Sequence, residues 1–351
     1  EDESLQIMST DSNIEFCGSY PSAVGDPGLA GIQGRSFYEL VRKLPPGEMT
    51  VRTDSEVQHV MVQHGRRNYK LPVNDPNWFQ SLSVFPETAA AMFSGDFLHE
   101  IIDKVAYCIS DEDSMEAIAC MFMAPAEAGP GEARIEVCGL NGHQFAMFNF
   151  VNEDIRELLP QEGVLIQKKY LLELKKWLTF DEIEMSISDK RLFFRSAEGR
   201  ETFSFPLSYY QFPNYHNFLA KLNDEGVSTF SANREELIEA LERILIFNTD
   251  ANRCTYFEFS PEEAGLTIQG LERGSAEERI ECSYAGDMKR IAFPTRNFIE
   301  ILGHFGSEKV TLTLTGAEAP CGVSGESDHN YQVIIMPMKI EEETYYSEEE
   351  V

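Results

Sequence analysis

One short block is written three times along this chain, as Arg35-Ser36-Phe37-Tyr38-Glu39-Leu40, Lys169-Tyr170-Leu171-Leu172-Glu173-Leu174 and Arg296-Asn297-Phe298-Ile299-Glu300-Ile301. The glutamates Glu39, Glu173 and Glu300 set a period of about 130 residues, too long for a solenoid repeat and the size of a whole domain. The chain therefore reads as three copies of one domain. In each copy the block predicts an amphipathic helix that leads into strands with period-two alternation, over 48–62, 183–205, and 310–314 with 332–338. Pro45-Pro46-Gly47 and Gly306-Ser307 mark the turns between helix and strand. The expected fold class is α+β, built from layered repeats of helices and antiparallel sheet.

Breaks at Pro72-Val73-Asn74-Asp75-Pro76, at Phe212-Pro213-Asn214-Tyr215 and at Asn223-Asp224-Glu225-Gly226 place the domains at 1–85, 86–218 and 225–340. The second and third copies carry a leading helix, over 97–107 and 234–247. The first residue is Glu1 rather than Met, and 5–16 already reads as two short strands. Against the second copy, the first is expected to be N-terminally incomplete by roughly 39 residues, which should hold its own leading helix.

Where the charge sits matters more than its sum. With 59 acidic against 29 basic residues the net charge is −30, and so acidic a body repels nucleic acid unless its cations are gathered. On a 100° wheel Leu171, Leu174 and Leu178 form one stripe, while Lys168, Lys169, Lys175 and Lys176 share another arc. The first copy repeats this with Phe37, Leu40 and Leu44 inward and Arg35, Arg42 and Lys43 outward. The third keeps Arg296 but has Gly303 where a second cation would fall, and Arg243 on the preceding helix adds to its face. Cations recurring on corresponding helix faces of an acidic protein point to a shared anionic ligand, and duplex DNA fits a row of separated basic faces. No recognition-helix, zinc-finger or RNP signature is present, so the contacts would be to phosphates, without sequence preference.

The remaining composition narrows the class. A 42% hydrophobic content supports folded cores, and neither a long apolar run nor a signal peptide occurs, which predicts a cytoplasmic protein. Seven cysteines, an odd number with no CxxC pair, read as buried thiols in a reducing compartment. No P-loop, HExxH, GxSxG or acidic metal cluster appears, so no enzyme, no cofactor and no metal site is expected. The last eleven residues, 341–351, hold six glutamates and read as a flexible acidic tail.

The threefold repeat, together with Asn141-Gly142-His143-Gln144-Phe145-Ala146, Phe212-Pro213-Asn214-Tyr215 and Ile334-Ile335-Met336-Pro337-Met338-Lys339-Ile340, resembles the bacterial sliding-clamp family, the β subunits of DNA polymerase III. The likeness runs from Leu5 to Ile340. It implies a head-to-tail homodimer whose six domains close a ring around duplex DNA, helices lining the channel and sheets outside, acting as a non-catalytic processivity factor in DNA replication. Arg35, Arg42, Lys43, Lys168, Lys169, Lys175, Lys176, Arg243 and Arg296 would face the channel.

The resemblance also implies a groove for short peptides of the replicative polymerase, clamp loader and repair proteins, lined by Ile118, Leu140, Gly142, His143, Phe145, Pro213, Phe218, Ile334, Ile335, Met336, Pro337 and Met338. The subunit contact would join Arg66, Arg67, Tyr69 and Leu71 of one chain to Ile246, Phe247, Glu277 and Glu278 of the other. Two features depart from the family pattern. The 111–117 loop is acidic where relatives often carry basic or aromatic residues, and Gln144 and Asn217 are neutral at positions often basic. A rival reading is therefore an acidic interaction scaffold that keeps the fold and groove without encircling DNA.

Overall fold

In a computed structural model the described residues are 4–23, 25–54, 56, 58–75, 79, 81–87, 89–112, 116–126, 133–179, 181–188, 190–250, 252–270 and 273–340. The acidic tail, Pro76 and residues 113–115 of the acidic loop lie outside them. The chain opens with β1 (Ser4–Thr10), β2 (Glu15–Pro21), β3 (Gly31–Ile32), α1 (Gly34–Lys43), β4 (Thr50–Thr53), β5 (His59–His64) and β6 (Arg67–Asn74). It continues through β7 (Ala91–Ser94), α2 (Gly95–Ala106), β8 (Cys120–Pro125), β9 (Arg134–Leu140), β10 (Gln144–Val151), α3 (Glu153–Leu158), β11 (Val164–Gln167), α4 (Lys168–Trp177), β12 (Glu182–Ser188), β13 (Arg191–Ser196) and β14 (Glu201–Pro206). After α5 (His216–Lys221) come β15 (Ser228–Asn233), α6 (Arg234–Leu245), β16 (Cys254–Phe259), β17 (Glu263–Gly270), β18 (Gly274–Ala285), β19 (Arg290–Pro294), α7 (Thr295–Gly303), β20 (Lys309–Leu314), β21 (Cys321–Gly325) and β22 (Tyr331–Ile335).

These elements form two compact units, one of Glu1–Ala90 with Asp181–Pro206, the other of Ala91–Phe180 with Leu207–Val351. In the first unit the hairpin β1–β2 carries on into β14, β13 and β12, with Phe16 opposite Phe203. Strands of the first and second repeats thus share one sheet. A second sheet runs in the order β3-β6-β5-β4. Pro72 does not break β6, which continues to Asn74. The Val73 N–H turns to the Gln58 carbonyl, so the donor that Pro72 lacks would have faced the side where β3 pairs only with Val73 and Asn74.

The second unit holds a twelve-stranded antiparallel arrangement in the order β11-β8-β9-β10-β22-β21-β20-β15-β18-β17-β16-β19. Its second-repeat and third-repeat halves meet at β10 and β22, where Phe145 stands opposite Ile334. Pairing across the repeats satisfies strand edges that would otherwise be exposed. β22 stops at Ile335 rather than Met338, because Pro337 has no N–H to offer. Beyond it the Met336 N–H still reaches the His143 carbonyl at 2.9 Å and the Met338 N–H that of Ala292 at 2.7 Å.

Helices pack on these sheets in pairs within the unit, α2 with α4 and α6 with α7. The leading helices start where the caps put them. Ser94 Oγ accepts from the Phe97 N–H, and Asn233 Oδ1 from the Glu236 N–H at 3.0 Å. α2 turns Leu98, Ile101, Ile102 and Val105 inward, and Gly139 lets the Val105 carbonyl approach β9 where a Cβ would collide.

Candidate functional site

The apolar cluster around the β10–β22 junction starts from a tight turn. Gly142, with φ of 88°, sits in the two-residue connection between Asn141 and Gln144, a conformation that suits glycine. Asn141 Oδ1 accepts from the N–H groups of His143 and Gln144, at 3.0 and 2.8 Å, and fixes this turn. From it β10 carries Phe145 and Met147 to one face, where they meet Cys138, Ile334, Tyr215 and Leu222. Phe122, Leu140, Phe212, Phe218 and Leu219 pack against this group while staying partly open to solvent.

The aromatic rings interlock. Phe145 stacks on Tyr215 at 5.1 Å and meets the edge of Phe218 at 5.5 Å, while Phe122 stacks on Phe212 at 4.9 Å. The Tyr215 hydroxyl donates to Glu136 Oε2 at 2.6 Å. Burial, and then the neighbouring Cys138 and Glu136, drive the phenol far above its ordinary range. Burial pushes the Cys138 thiol up as well, so it stays protonated and inert.

Gln144, which pairs with Ile335, lies on the face of β10 opposite to Phe145 and Met147. It is only 2% exposed; its Oε1 accepts from Asn141 Nδ2 at 3.2 Å, and its Nε2 has no hydrogen-bond partner among the described residues. A buried donor left unsatisfied costs about 1–3 kcal/mol.

The residues expected to line one groove are only partly brought together. Leu140, Phe145, Phe218 and Ile334 lie in the cluster, and the exposed turn residues Gly142 and His143 flank it in sequence. Exposed Pro213 stands in the loop between Phe212 and Tyr215. Met336 and Pro337 are half-buried and Met338 is 43% exposed, on the segment leaving β22. Ile335 is fully buried and outside the cluster, since successive strand side chains point to opposite faces. Ile118, half-buried before β8, is likewise outside it. Phe122, Phe212, Tyr215, Leu219 and Leu222 join the cluster without being among the expected residues, although Phe212 and Tyr215 stand in the Phe-Pro-Asn-Tyr motif.

The cationic faces have unequal freedom. On α4, Lys175 Nζ is held by Asp103 of α2, Lys168 Nζ reaches Asp111 at 2.7 Å and the Ile109 carbonyl at 2.9 Å, and Lys176 pairs with Glu173 at 2.6 Å. On α1, Arg35 pairs with Glu39 at 3.1 Å. Lys169 and Arg42 lie over the rings of Tyr170 and Tyr38, at 5.1 and 5.8 Å. With exposed Lys43 and Arg296 they have no carboxylate partner among the described residues.

Arg243, expected in a channel, and Glu278, expected at a subunit contact, are brought together. The guanidinium engages the carboxylate through two nitrogens, at 2.9 and 3.1 Å, and holds its pKa below the usual range. Glu277 is paired with Arg279 at 3.1 Å. Of the other expected contact residues, Ile246 is 68% exposed just past α6 and Phe247 is half-buried. In the first unit Arg66 and Arg67 are exposed at the β5–β6 hairpin, with Tyr69 and Leu71 half-buried along β6. Among the described residues no group of His, Cys, Asp and Glu could hold a metal, and no helix is long and apolar enough to cross a membrane.

Two family models match the chain. That of the DNA polymerase III β-subunit N-terminal domain covers residues 1–83 and that of its C-terminal domain covers 223–339, together more than half of the sequence. The β sliding clamp of Caulobacter vibrioides is 20% identical and that of Pseudomonas aeruginosa 23%, each alignment spanning 97% of this chain and 90% of the relative. Among solved structures, the Caulobacter crescentus sliding clamp superimposes with a TM-score of 0.87 at 20% identity, over 97% of this chain and 90% of the other. A Bartonella birtlesii clamp bound to griselimycin matches with the same score, identity and coverage.

Proposed function

Since the chain belongs to the DNA polymerase III β-subunit family of sliding clamps, the non-catalytic processivity factors of DNA replication, we propose that it works as a homodimeric ring around duplex DNA. Three domains, 1–85, 86–218 and 225–340, would come from each subunit. The observation that carries this reading is the repeated helix block, with cations on the outward arc of α1, α4 and α7 of an otherwise acidic chain. Arg42, Lys43, Lys169 and Arg296 are its direct phosphate contacts, and Arg35, Lys168, Lys175 and Lys176 lie on the same faces. Phosphate contacts carry no base preference, so the ring slides. The site of action is the cytoplasm, where the nucleoid lies.

The β10–β22 cluster is the docking groove for short peptide segments of the polymerase, the clamp loader and repair proteins. An apolar surface edged by Met336 and Met338 adapts to several sequences. Arg66, Arg67, Tyr69 and Leu71 meet Ile246 and Phe247 of the second subunit.

Light scattering tests the assembly. A ring predicts a particle of twice the 39.8 kDa chain mass at micromolar concentration, and a monomer there would refute it. Anisotropy titration with a fluorescein-labelled polymerase C-terminal peptide tests the groove. Phe218→Ala, at a half-buried ring packed against the cluster, should weaken binding about tenfold, and unchanged affinity would remove this cluster from the contact.

A further inference from the structure

Five of the nine cations expected to face DNA are already engaged by carboxylates of the same chain: Arg35, Lys168, Lys175, Lys176 and Arg243. Two of these pairs differ from ordinary exposed pairs along a helix. Lys168 and Lys175 are only 19% and 24% exposed at the side chain, against 70% for Lys176. Their partners come from other elements, Asp111 from the loop after α2 and Asp103 from α2 itself. Asp103 is further tied by Nδ1 of His99 at 3.0 Å, and Lys168 by the Ile109 carbonyl. A pair with one member already tied to a second group has less side-chain freedom left to lose than a fully solvated one.

We infer that Asp103 and Asp111 are built-in competitors of the DNA phosphates, which occupy Lys175 and Lys168 and thereby set how weakly the ring grips its duplex. This rests on the DNA-encircling reading and adds to it a specific pair of residues that limits affinity. The physical reason is counterion balance. A free lysine that meets a phosphate releases a condensed cation, whereas a lysine that trades a carboxylate for a phosphate leaves the carboxylate to recruit a cation, and the gain cancels. Lys169 and Arg296, without carboxylate partners among the described residues, keep the full gain. Retention by a closed ring needs no tight grip, and tight phosphate contacts would slow sliding.

The test is anisotropy of the full chain on a fluorescein-labelled linear 25-base-pair duplex, between 50 and 200 mM NaCl. Asp103→Asn combined with Asp111→Asn should tighten binding about tenfold at 50 mM and steepen the log–log salt slope by about 1.8, or about 0.9 per freed lysine. Asp224→Asn with Glu225→Gln makes the same change in net charge in an exposed turn away from these pairs, and should shift affinity less than about twofold with no change of slope. Asp111 is 87% exposed, so Asp111→Asn alone keeps the fold and should steepen the slope by about 0.9 if the double variant is poorly folded. If the Asp103 and Asp111 variants match the turn control while the unchanged chain binds duplex, the inference is overturned and the DNA reading survives. If neither the unchanged chain nor any variant binds duplex at 50 mM, the inference is overturned, because there is no phosphate grip for these carboxylates to limit, while retention on circular against linear DNA still decides the ring reading.

Discussion

Helix α4 buries Tyr170, Leu171 and Leu174, whereas α1, which presents Phe37, Leu40 and Leu44 at matching positions, has no buried residue at all. The two segments share the apolar spacing and two basic positions, Arg35 with Lys169 and Arg42 with Lys176, and both carry basic residues in the last turn that suit a helix C-terminus. What differs is the company each keeps. α4 packs with α2, as α7 packs with α6, while α1 has no companion helix among the described residues of its unit. An amphipathic pattern therefore sets which face a helix turns inward, and the neighbouring element sets how far that face is removed from water.

The sharpest way to break this comparison is to remove the same side chain from both helices. Leu174→Ala, at a position 1% exposed, should cost about 2–5 kcal/mol in urea unfolding. Leu40→Ala, at a half-buried position, should cost about 1 kcal/mol or less. Equal costs would mean that α1 is covered in solution as fully as α4.

The third member of the series, α7, sharpens the contrast further. Past its C-terminus Asp328 accepts from the N–H groups of Gly306 and Ser307, at 3.1 and 2.9 Å, and from the Ser307 hydroxyl at 2.5 Å, with Lys104 of α2 at 3.6 Å. Burial pushes this carboxyl up, but those donors and the ammonium outweigh it and leave its pKa below the ordinary value. The stabilisation is present in full above the unfolded pKa of about 4 and is lost as pH falls through the folded value. Asp328→Ala should cost about 1.5–3 kcal/mol at neutral pH, the worth of hydrogen bonds to a charged group, and should flatten the acid limb of a stability–pH curve. An unchanged acid limb would show that α7 is held by its buried Phe298, Ile301 and Leu302 alone.

The smallest effect expected is shared by both helices. Breaking the exposed pairs Arg35–Glu39 or Lys176–Glu173 by glutamine substitution of the acid should change stability by about 0.5 kcal/mol or less, and high salt should erase the difference. A larger loss on α4 than on α1 would place Glu173 in a role beyond its own helix.

The repeat, the helix faces and the alternating strands were legible because each is a periodicity of 3.6 or 2 written in consecutive residues. The pairing of β2 with β14 and of β10 with β22 was not, since strands far apart in sequence carry no mutual mark. The same limit explains the site. Ile334 and Ile335 read alike as apolar, and only the register of β22 separates a cluster residue from a core one. Likewise Arg243 and Glu278 are unremarkable in sequence, and only the fold makes them partners. Phe212 and Tyr215 stood inside a recognised motif, but the stacking that gives them weight depends on Phe122 and Phe145 from distant strands.

Retention on closed against open DNA tests the proposed ring most directly. With the chain loaded onto a nicked circular plasmid and passed through a sizing column at 150 mM NaCl, the account predicts co-elution with the circle and complete release after one restriction cut. Equal retention on circular and linear DNA would contradict it, because binding would then be adhesive rather than topological.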